Sequence, residues 1–527
     1  MPKLLVTDRI APEGLKILES KLDVDCRLGI PEDKIAAIIS DYAGLLVRSQ
    51  TKVTRRIIES ASSLKVIGRA GVGVDNIDID AATECGVMVV NSPGGNTLAV
   101  VEFTLGMMLA LLRHIPQAHA SLREGQWSRS RYVGTQALGK TLGIIGLGRI
   151  GTEVALRAKV FGMEVIGSDP FLSQQRAQSL GIQLMDYREV FQKADLITFH
   201  CPLTKETRNL INAESIAGMK DGVLLVNCAR GGVFDENALT AALASGKVAG
   251  AAIDVYSEEP PRNSPLLQCD NVVTTPHLAA STHEAQVDVA VDVAEQIVDV
   301  FDGKTPKSAV NLPAIPLEIL GELRPYLVLA EKLGRMQGQL AKGSMDCVEI
   351  LYGGHLVSHE TGVLTRSFLK GLMGPVMPRS VNMVNAPLLA HQRGIEVVEK
   401  RESSAGDYAS IIATALITST GRHDIAGTVF GKSEPRIIRL DGYRMDIVPE
   451  GHVLLSDHTD KAGVIGRVGT EIGKVGVNIA GMHVGRQKIG GDAIMVLNVD
   501  AQLPDELLDY LSTLDNISNA RMVDFSI

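Results

Sequence analysis

Short apolar runs recur along residues 1–300, separated by longer stretches in which apolar residues return every three to four positions. The runs at 3–7, 24–28, 44–47, 65–67 and 87–91 read as one series of strands. Those at 142–145, 164–167, 196–200, 223–227, 250–254 and 272–275 read as a second. Helical patterns separate most of them, and the strands are rich in Val, Ile and Leu. This alternation predicts two doubly wound parallel-sheet domains covered by helices on both faces, one Rossmann-like and one flavodoxin-like. The apolar stretch 97–112, TLAVVEFTLGMMLALL, predicts a buried helix between the two series, suited to a subunit interface. It carries Glu102 and is too short to span a membrane.

A Pro-spaced stretch at 305–316 reads as a linker. Residues 318–450 are richer in Gly and show no βαβ rhythm; they predict a separate α+β domain of underivable plan. The tail returns to a clear pattern: strand, helix, two strands, helix, strand, the ferredoxin-like order. The expected division is 1–96 with 282–316, then 97–281, 317–450 and 451–527.

Composition narrows the function. Apolar residues make up 45% and charged residues 21%, which excludes disorder, and the net charge of −9 argues against nucleic-acid binding. Six Cys without CxxC spacing fit a reducing compartment, and the first apolar run is a strand and not a signal segment. A cytoplasmic protein without membrane or nucleic-acid partners is expected, and no metal site.

Residues 141–151, TLGIIGLGRIG, hold GxGxxG between an apolar run and a helical pattern. Gly146 permits the tight turn, Gly148 lets backbone N–H groups approach a pyrophosphate, and Gly151 allows the helix to pack on the strand. Arg149 and Ile150 open the helix whose N-terminus favours the phosphates. Asp169 ends the next strand, placed to accept from ribose hydroxyls. Its carboxylate would repel a 2′-phosphate, and Pro170-Phe171-Leu172 offer no cation, so NAD is expected over NADP. In such a sheet ligands bind beyond the strands' carboxyl ends, where Cys201, Cys228, Ala229, Arg230, Asp254, Glu259 and His277 fall. His277 can take a hydroxyl proton near neutral pH and also borders the nicotinamide position. Glu259 can orient its ring, with a solvated acid beside Glu258 as the competing reading. Arg230 can hold a carboxylate through its planar fork.

The segments VNCARGGVFDENAL, AAIDVYSEEPP and TTPHLAAST resemble the signatures of the D-isomer-specific 2-hydroxyacid dehydrogenases. That resemblance implies a catalytic triad at Arg230, Glu259 and His277. VRSQTKVT, IGRAGVGVDNID and NSPGGNTLAVVE resemble the branch that oxidises 3-phosphoglycerate to 3-phosphohydroxypyruvate for serine biosynthesis. It implies substrate contacts at Arg48, Arg69 and Asn96, and at Arg129 from a neighbouring subunit, hence a homodimer or homotetramer. Val72 stands where many relatives carry Thr, which removes one hydroxyl contact to the cofactor. The length and the βαββαβ tail resemble the long form, which adds an allosteric substrate-binding domain and an ACT domain. Serine is the implied effector, with Asp460, Asn478 and His458 as its expected contacts; Ala462 replaces a common Pro. Arg366, Lys370, Arg379, Arg393, Lys400 and Arg401 are candidate cations for an anionic effector, including substrate, with a solvated basic face as the competing reading. The competing functions are another D-2-hydroxyacid dehydrogenase or reductase, and an NAD-sensing corepressor-like scaffold.

Overall fold

The computed structural model describes residues 1–313, 317–377 and 380–526. Five strands, β1 (Lys3–Val6), β2 (Asp23–Cys26), β3 (Gly44–Val47), β4 (Val66–Arg69) and β5 (Met88–Asn91), form a parallel sheet in the order β2-β1-β3-β4-β5. This is the flavodoxin-like order. Leu45, Val47, Ile67 and Val89 face one core, while Leu4, Val6, Leu46 and Val66 face another. The second core is closed by Val289, Val293 and Ile297 of the helix His283–Phe301. Gly14 lets that helix approach closely, since a Cβ there would lie 2.7 Å from the Ala290 carbonyl oxygen. The chain therefore returns to its first sheet after completing the second, and Val310 N–H donates to Val89 O at 2.7 Å.

The second sheet has seven parallel strands: β6 (Thr141–Ile145), β7 (Glu164–Ser168), β8 (Gln183–Leu184), β9 (Leu196–Phe199), β10 (Val223–Asn227), β11 (Val248–Ile253) and β12 (Val272–Thr274). Their order is β12-β11-β10-β9-β6-β7-β8. The direction of winding reverses between β6 and β9, the switch point at which dinucleotides bind. β8 has only two residues and carries too weak a pattern to be expected from sequence. The helix Thr97–Leu112 packs eight of its residues into this unit, from Ala99 to Leu112. Among the described residues no single helix is long and apolar enough to cross a membrane; this helix and Ile115–Arg123 reach that together, but are bent by 63°.

The region without rhythm is a mixed sheet in the order β14-β13-β15-β16-β17-β18: β13 (Met345–Gly354), β14 (Glu396–Glu402), β15 (Ser410–Thr418), β16 (Gly421–Phe430), β17 (Glu434–Leu440) and β18 (Tyr443–Ile447). Only β13 and β14 run parallel. The helices Leu317–Leu340 and Gly362–Met373 cover it. The tail forms β19 (His452–Thr459), β20 (Ile479–Arg486), β21 (Asp492–Val499) and β22 (Ile517–Asp524), antiparallel in the order β20-β21-β19-β22. Its helices Val464–Lys474 and Asp505–Thr513 cover one face through Leu454, Met495 and Leu497. The other face does not meet water. Val453, Leu455, Ile494, Val496, Val523 and Phe525 join Leu329, Leu333, Met336 and Ile437 in one continuous core. A junction read from sequence as a boundary is thus a shared interior.

Candidate active site and effector domain

The glycine loop after β6 has the geometry that a dinucleotide requires. Gly146 sits at φ +92°, and a Cβ on it would lie 2.6 Å from the His200 carbonyl oxygen. A Cβ on Gly151 would lie 2.0 Å from the Gly146 carbonyl oxygen, so only a bare Cα lets the helix pack there. At Gly148 nothing lies within 4 Å, and no side chain caps the helix Arg149–Val160, so its first N–H groups face open space. The residues fit NAD: a bare anion-binding helix start, followed by a carboxylate at the end of the next strand. Asp169 already accepts Leu147 N–H and Phe171 N–H, each at 2.8 Å. It braces the loop and keeps a free lone pair on each oxygen for ribose hydroxyls. Arg149 is exposed and reaches across the cleft, its Nη1 3.9 Å from where a Gly94 Cβ would be.

Beyond β9 to β12 the expected residues converge. His277 Nδ1 lies 2.9 Å from Glu259 Oε2, and Tyr256 N–H donates to Glu259 Oε1 at 3.2 Å. Partial burial works against ionisation of Glu259, but the His277 hydrogen bond and charge outweigh it and hold the carboxyl below its ordinary range. The same hydrogen bond raises the His277 imidazole above its ordinary 6.5, against its own partial burial. His277 adopts φ +54°, a left-handed conformation that a residue with a side chain resists. Asp254 imposes it. Asp254 is fully buried; its carbonyl accepts His277 N–H at 2.9 Å, and its carboxylate accepts Thr275 Oγ1–H, Leu278 N–H and Ala279 N–H. Its side chain therefore shapes the loop and does not face the open cleft. Burial pushes the Cys201 thiol up to about 11 and the Cys228 thiol up to about 12, so both stay uncharged.

Three guanidinium groups close the other side. Arg230 Nε donates to Asp75 Oδ2 at 3.0 Å and its Nη1 to the Ala229 carbonyl at 2.7 Å. Arg69 is mostly buried; burial and the Arg230 and Arg48 charges push it down to about 10, and its Nε has no hydrogen-bond partner among the described residues. Asn96 Oδ1 is likewise buried without a partner, at the start of the helix Thr97–Leu112. A guanidinium Nε and an amide oxygen, each buried and left open, mark places for a polar, anionic ligand. Arg129 lies apart, in an exposed one-turn segment with Trp127 and Val133.

Two residues of the site lie inside the signature segments but were not singled out from sequence. Asp75 faces Arg230 from the other unit. Glu236 accepts Ser257 N–H at 2.8 Å and the Ser264 hydroxyl, and so anchors the loop that carries Glu259. Their place in those segments was the signal that could have found them; the fold shows their partners.

Comparison with known proteins agrees with this geometry. The family described as D-isomer specific 2-hydroxyacid dehydrogenase, NAD binding domain, matches residues 105–279. The D-3-phosphoglycerate dehydrogenase intervening domain matches 322–441 and the ACT domain 452–515. The D-3-phosphoglycerate dehydrogenase of Methanocaldococcus jannaschii is 46% identical over 99% of this chain and 100% of its own, and that of Bacillus subtilis 43% over 99% and 100%. The chain belongs to the D-3-phosphoglycerate dehydrogenase family. It is therefore an NAD-dependent oxidoreductase that carries an ACT domain. Two solved structures each match a little under three fifths of this chain. A glyoxylate reductase from Paecilomyes thermophila has a TM-score of 0.55 at 30% identity over 58% of this chain and 97% of its own. The Aquifex aeolicus D-lactate dehydrogenase complexed with NAD and lactic acid has 0.54 at 27% over 59% and 100%.

The third and fourth units place two further sets of candidate residues. The candidate cations of 318–450 do not gather into an open anion site. Lys370 pairs with Glu331 at 2.7 Å, Lys400 with Glu349 at 2.9 Å, and Arg401 donates to Thr361 Oγ1. Arg366 is half-buried on the Met383 and Val384 carbonyls, and Arg379 lies outside the described residues. Nor does one ACT domain bring its expected contacts together. Asp460 follows β19 and holds Arg486 Nη1 at 2.8 Å, at one end of the β20–β21 hairpin. Asn478 precedes β20 and donates to Asp500 at 3.2 Å, at the other end, roughly 25 Å away by strand rise. His458 is buried, with Nδ1 3.3 Å from the Ser456 carbonyl.

Proposed function

We propose that the chain oxidises 3-phospho-D-glycerate to 3-phosphohydroxypyruvate, the entry step of serine biosynthesis. The observation that carries this reading is the mostly buried Arg69, its Nε without a partner among the described residues, clustered with Arg48 and with Arg230, whose charge reaches the His277–Glu259 pair. A doubly anionic substrate needs more cations than one catalytic Arg. Arg48 and Arg69 hold the phosphate; Arg230 and Asn96 hold the carboxylate and polarise the neighbouring oxygen. Bound NAD supplies the hydride acceptor. Gly146, Gly148, Arg149, Ile150 and Gly151 hold its pyrophosphate, Asp169 its ribose, and Cys201, Cys228, Ala229 and His277 border its nicotinamide side. Asp254 acts there by fixing the His277 loop. As hydride leaves the substrate carbon, the neutral ring of His277 takes the hydroxyl proton at Nε2, and Glu259 stabilises the imidazolium through Nδ1.

The working units of this reading are 1–96 with 282–316 for substrate, 97–281 for NAD, 317–450 as the intervening domain and 451–527 as the regulatory one. The enzyme is a cytoplasmic homodimer or homotetramer in which Arg129 enters the neighbour's site. Serine binds between two ACT domains, Asp460 of one copy meeting Asn478 of the other. Initial rates of NADH formation with 3-phosphoglycerate and with glycerate test the substrate. Replacing Arg48 and Arg69 together with Ala should collapse the preference for the phosphorylated acid; an unchanged ratio would remove the assignment.

A further inference from the structure

Arg230 is not free to receive an anion in this structure. A guanidinium offers a carboxylate two bidentate edges, Nε with Nη2 and Nη1 with Nη2. Asp75 Oδ2 occupies the first edge at Nε, and the Ala229 carbonyl occupies the second at Nη1. The Ala229 carbonyl belongs to the Arg230 loop itself and travels with it. Asp75 comes from the other side of the cleft, 155 residues away in the chain. Gly73 shapes this contact: a Cβ there would sit 2.1 Å from Arg230 Nη2 and 2.9 Å from Asp75 Oδ2. The segment from Gly71 to Asp75 thus lies directly against the guanidinium.

Two acids moderate the charge of this cluster, Asp8 and Asp75. Asp8 is buried and fixed, accepting the N–H groups of Arg48, Gln50 and Thr51 and the Thr51 hydroxyl. Asp75 is 68% exposed and holds only Arg230 among the described residues. It is the counter-ion that can leave. We propose that Asp75 is a substrate-displaceable latch: it occupies the carboxylate-binding edge of Arg230 from the opposite side of the cleft, and the incoming substrate carboxylate takes its place. The inference rests on the reading of Arg230 as the carboxylate anchor. An exposed ion pair is weak enough to be broken by each substrate molecule. While it holds, it joins the two units and keeps Arg230 from being repelled outward by Arg69 and Arg48. It also competes with small anions that carry too little charge to displace it.

Steady-state kinetics of Asp75→Asn, Asp75→Ser and Asp75→Glu at constant ionic strength test the latch. Removing the charge should lower KM for 3-phosphoglycerate and Ki for inorganic sulfate about two- to fivefold, with kcat changing less than KM. Asp75→Glu should stay close to the parent. The Ser variant guards against a new bond made by the Asn amide. If both neutral variants leave KM and Ki unchanged, or raise them, the latch is refuted. Arg230→Ala separates the two failures. Lost turnover there, with silent Asp75 variants, refutes the latch alone; retained turnover refutes the role of Arg230 and the latch with it.

Discussion

His277 shows how much of a functional residue lies outside itself. Its backbone at φ +54° is held by Asp254, whose carboxylate accepts three hydrogen bonds from 275–279. Asp254→Asn keeps the shape but turns one acceptor into a donor, leaving a buried N–H or hydroxyl unpaired at about 1–3 kcal/mol. The expected result is a lower Tm by calorimetry together with a kcat loss that substrate cannot rescue. The His277–Glu259 pair sets a pH dependence of known sign. The folded imidazole titrates above its ordinary 6.5, so the pair's stabilisation is complete below that value and lost as pH rises through the raised one. Oxidation needs the neutral ring, so its rate rises over that same alkaline window, while ketone reduction falls. Glu259→Gln removes the cause of the shift; the rising limb of the kcat–pH profile should move to lower pH and its plateau should drop. Sequence singled out His277 because it follows a strand end and left Glu259 open as a solvated acid; the fold brings the two within hydrogen-bond distance. Sequence could not disclose Asp254 as their brace, since those bonds span 21 to 25 residues, nor the partners of Glu236 and Asp75.

At the scale of elements, legibility followed burial pattern. The parallel strands are apolar on both faces, and the central tail strands β19 and β21 are likewise short apolar runs bounded by helical patterns, so both announce themselves. The intervening unit hides its plan for a physical reason. Its longest helix, Leu317–Leu340, contains Pro325, Gly334 and Gly338, residues that argue for loop. In the structure these glycines are a contact surface. A Cβ on Gly334 would lie 2.0 Å from the Phe368 carbonyl oxygen, one on Gly338 2.4 Å from that of Leu372, and one on Gly371 2.0 Å from that of Glu331. Backbone meets backbone where the helices Leu317–Leu340 and Gly362–Met373 cross. Alanine favours an isolated helix by about 1 kcal/mol over glycine, yet here its methyl group must push the crossing helices apart. Gly334→Ala should therefore destabilise by about 1–3 kcal/mol in denaturant titration, opposite in sign to its propensity.

For the whole molecule, the shared interior of the intervening and ACT units governs what can be removed. Val453, Leu455, Ile494, Val496, Val523 and Phe525 cover apolar residues of the helix Leu317–Leu340, and Gln339 bonds both the N–H and the carbonyl of Asp524. A chain ended after residue 450 would open that face to water and should aggregate on gel filtration. One ended after residue 313 keeps both doubly wound units, and a glyoxylate reductase matches 58% of this chain over 97% of its own length; the shortened chain should remain folded and turn over, with any response to serine lost. The separation of Asp460 from Asn478 at opposite ends of one hairpin has a different reach. If serine binds as proposed, with Asp460 of one copy meeting Asn478 of another, a lone chain would own two halves of different sites and no whole one, and the sensor would exist only once chains had paired. Its apparent affinity for effector then follows mass action in the enzyme as well as in the effector. Dilute enzyme would be deaf to its end product and abundant enzyme responsive to it, making the cell's own expression level a gain control on feedback.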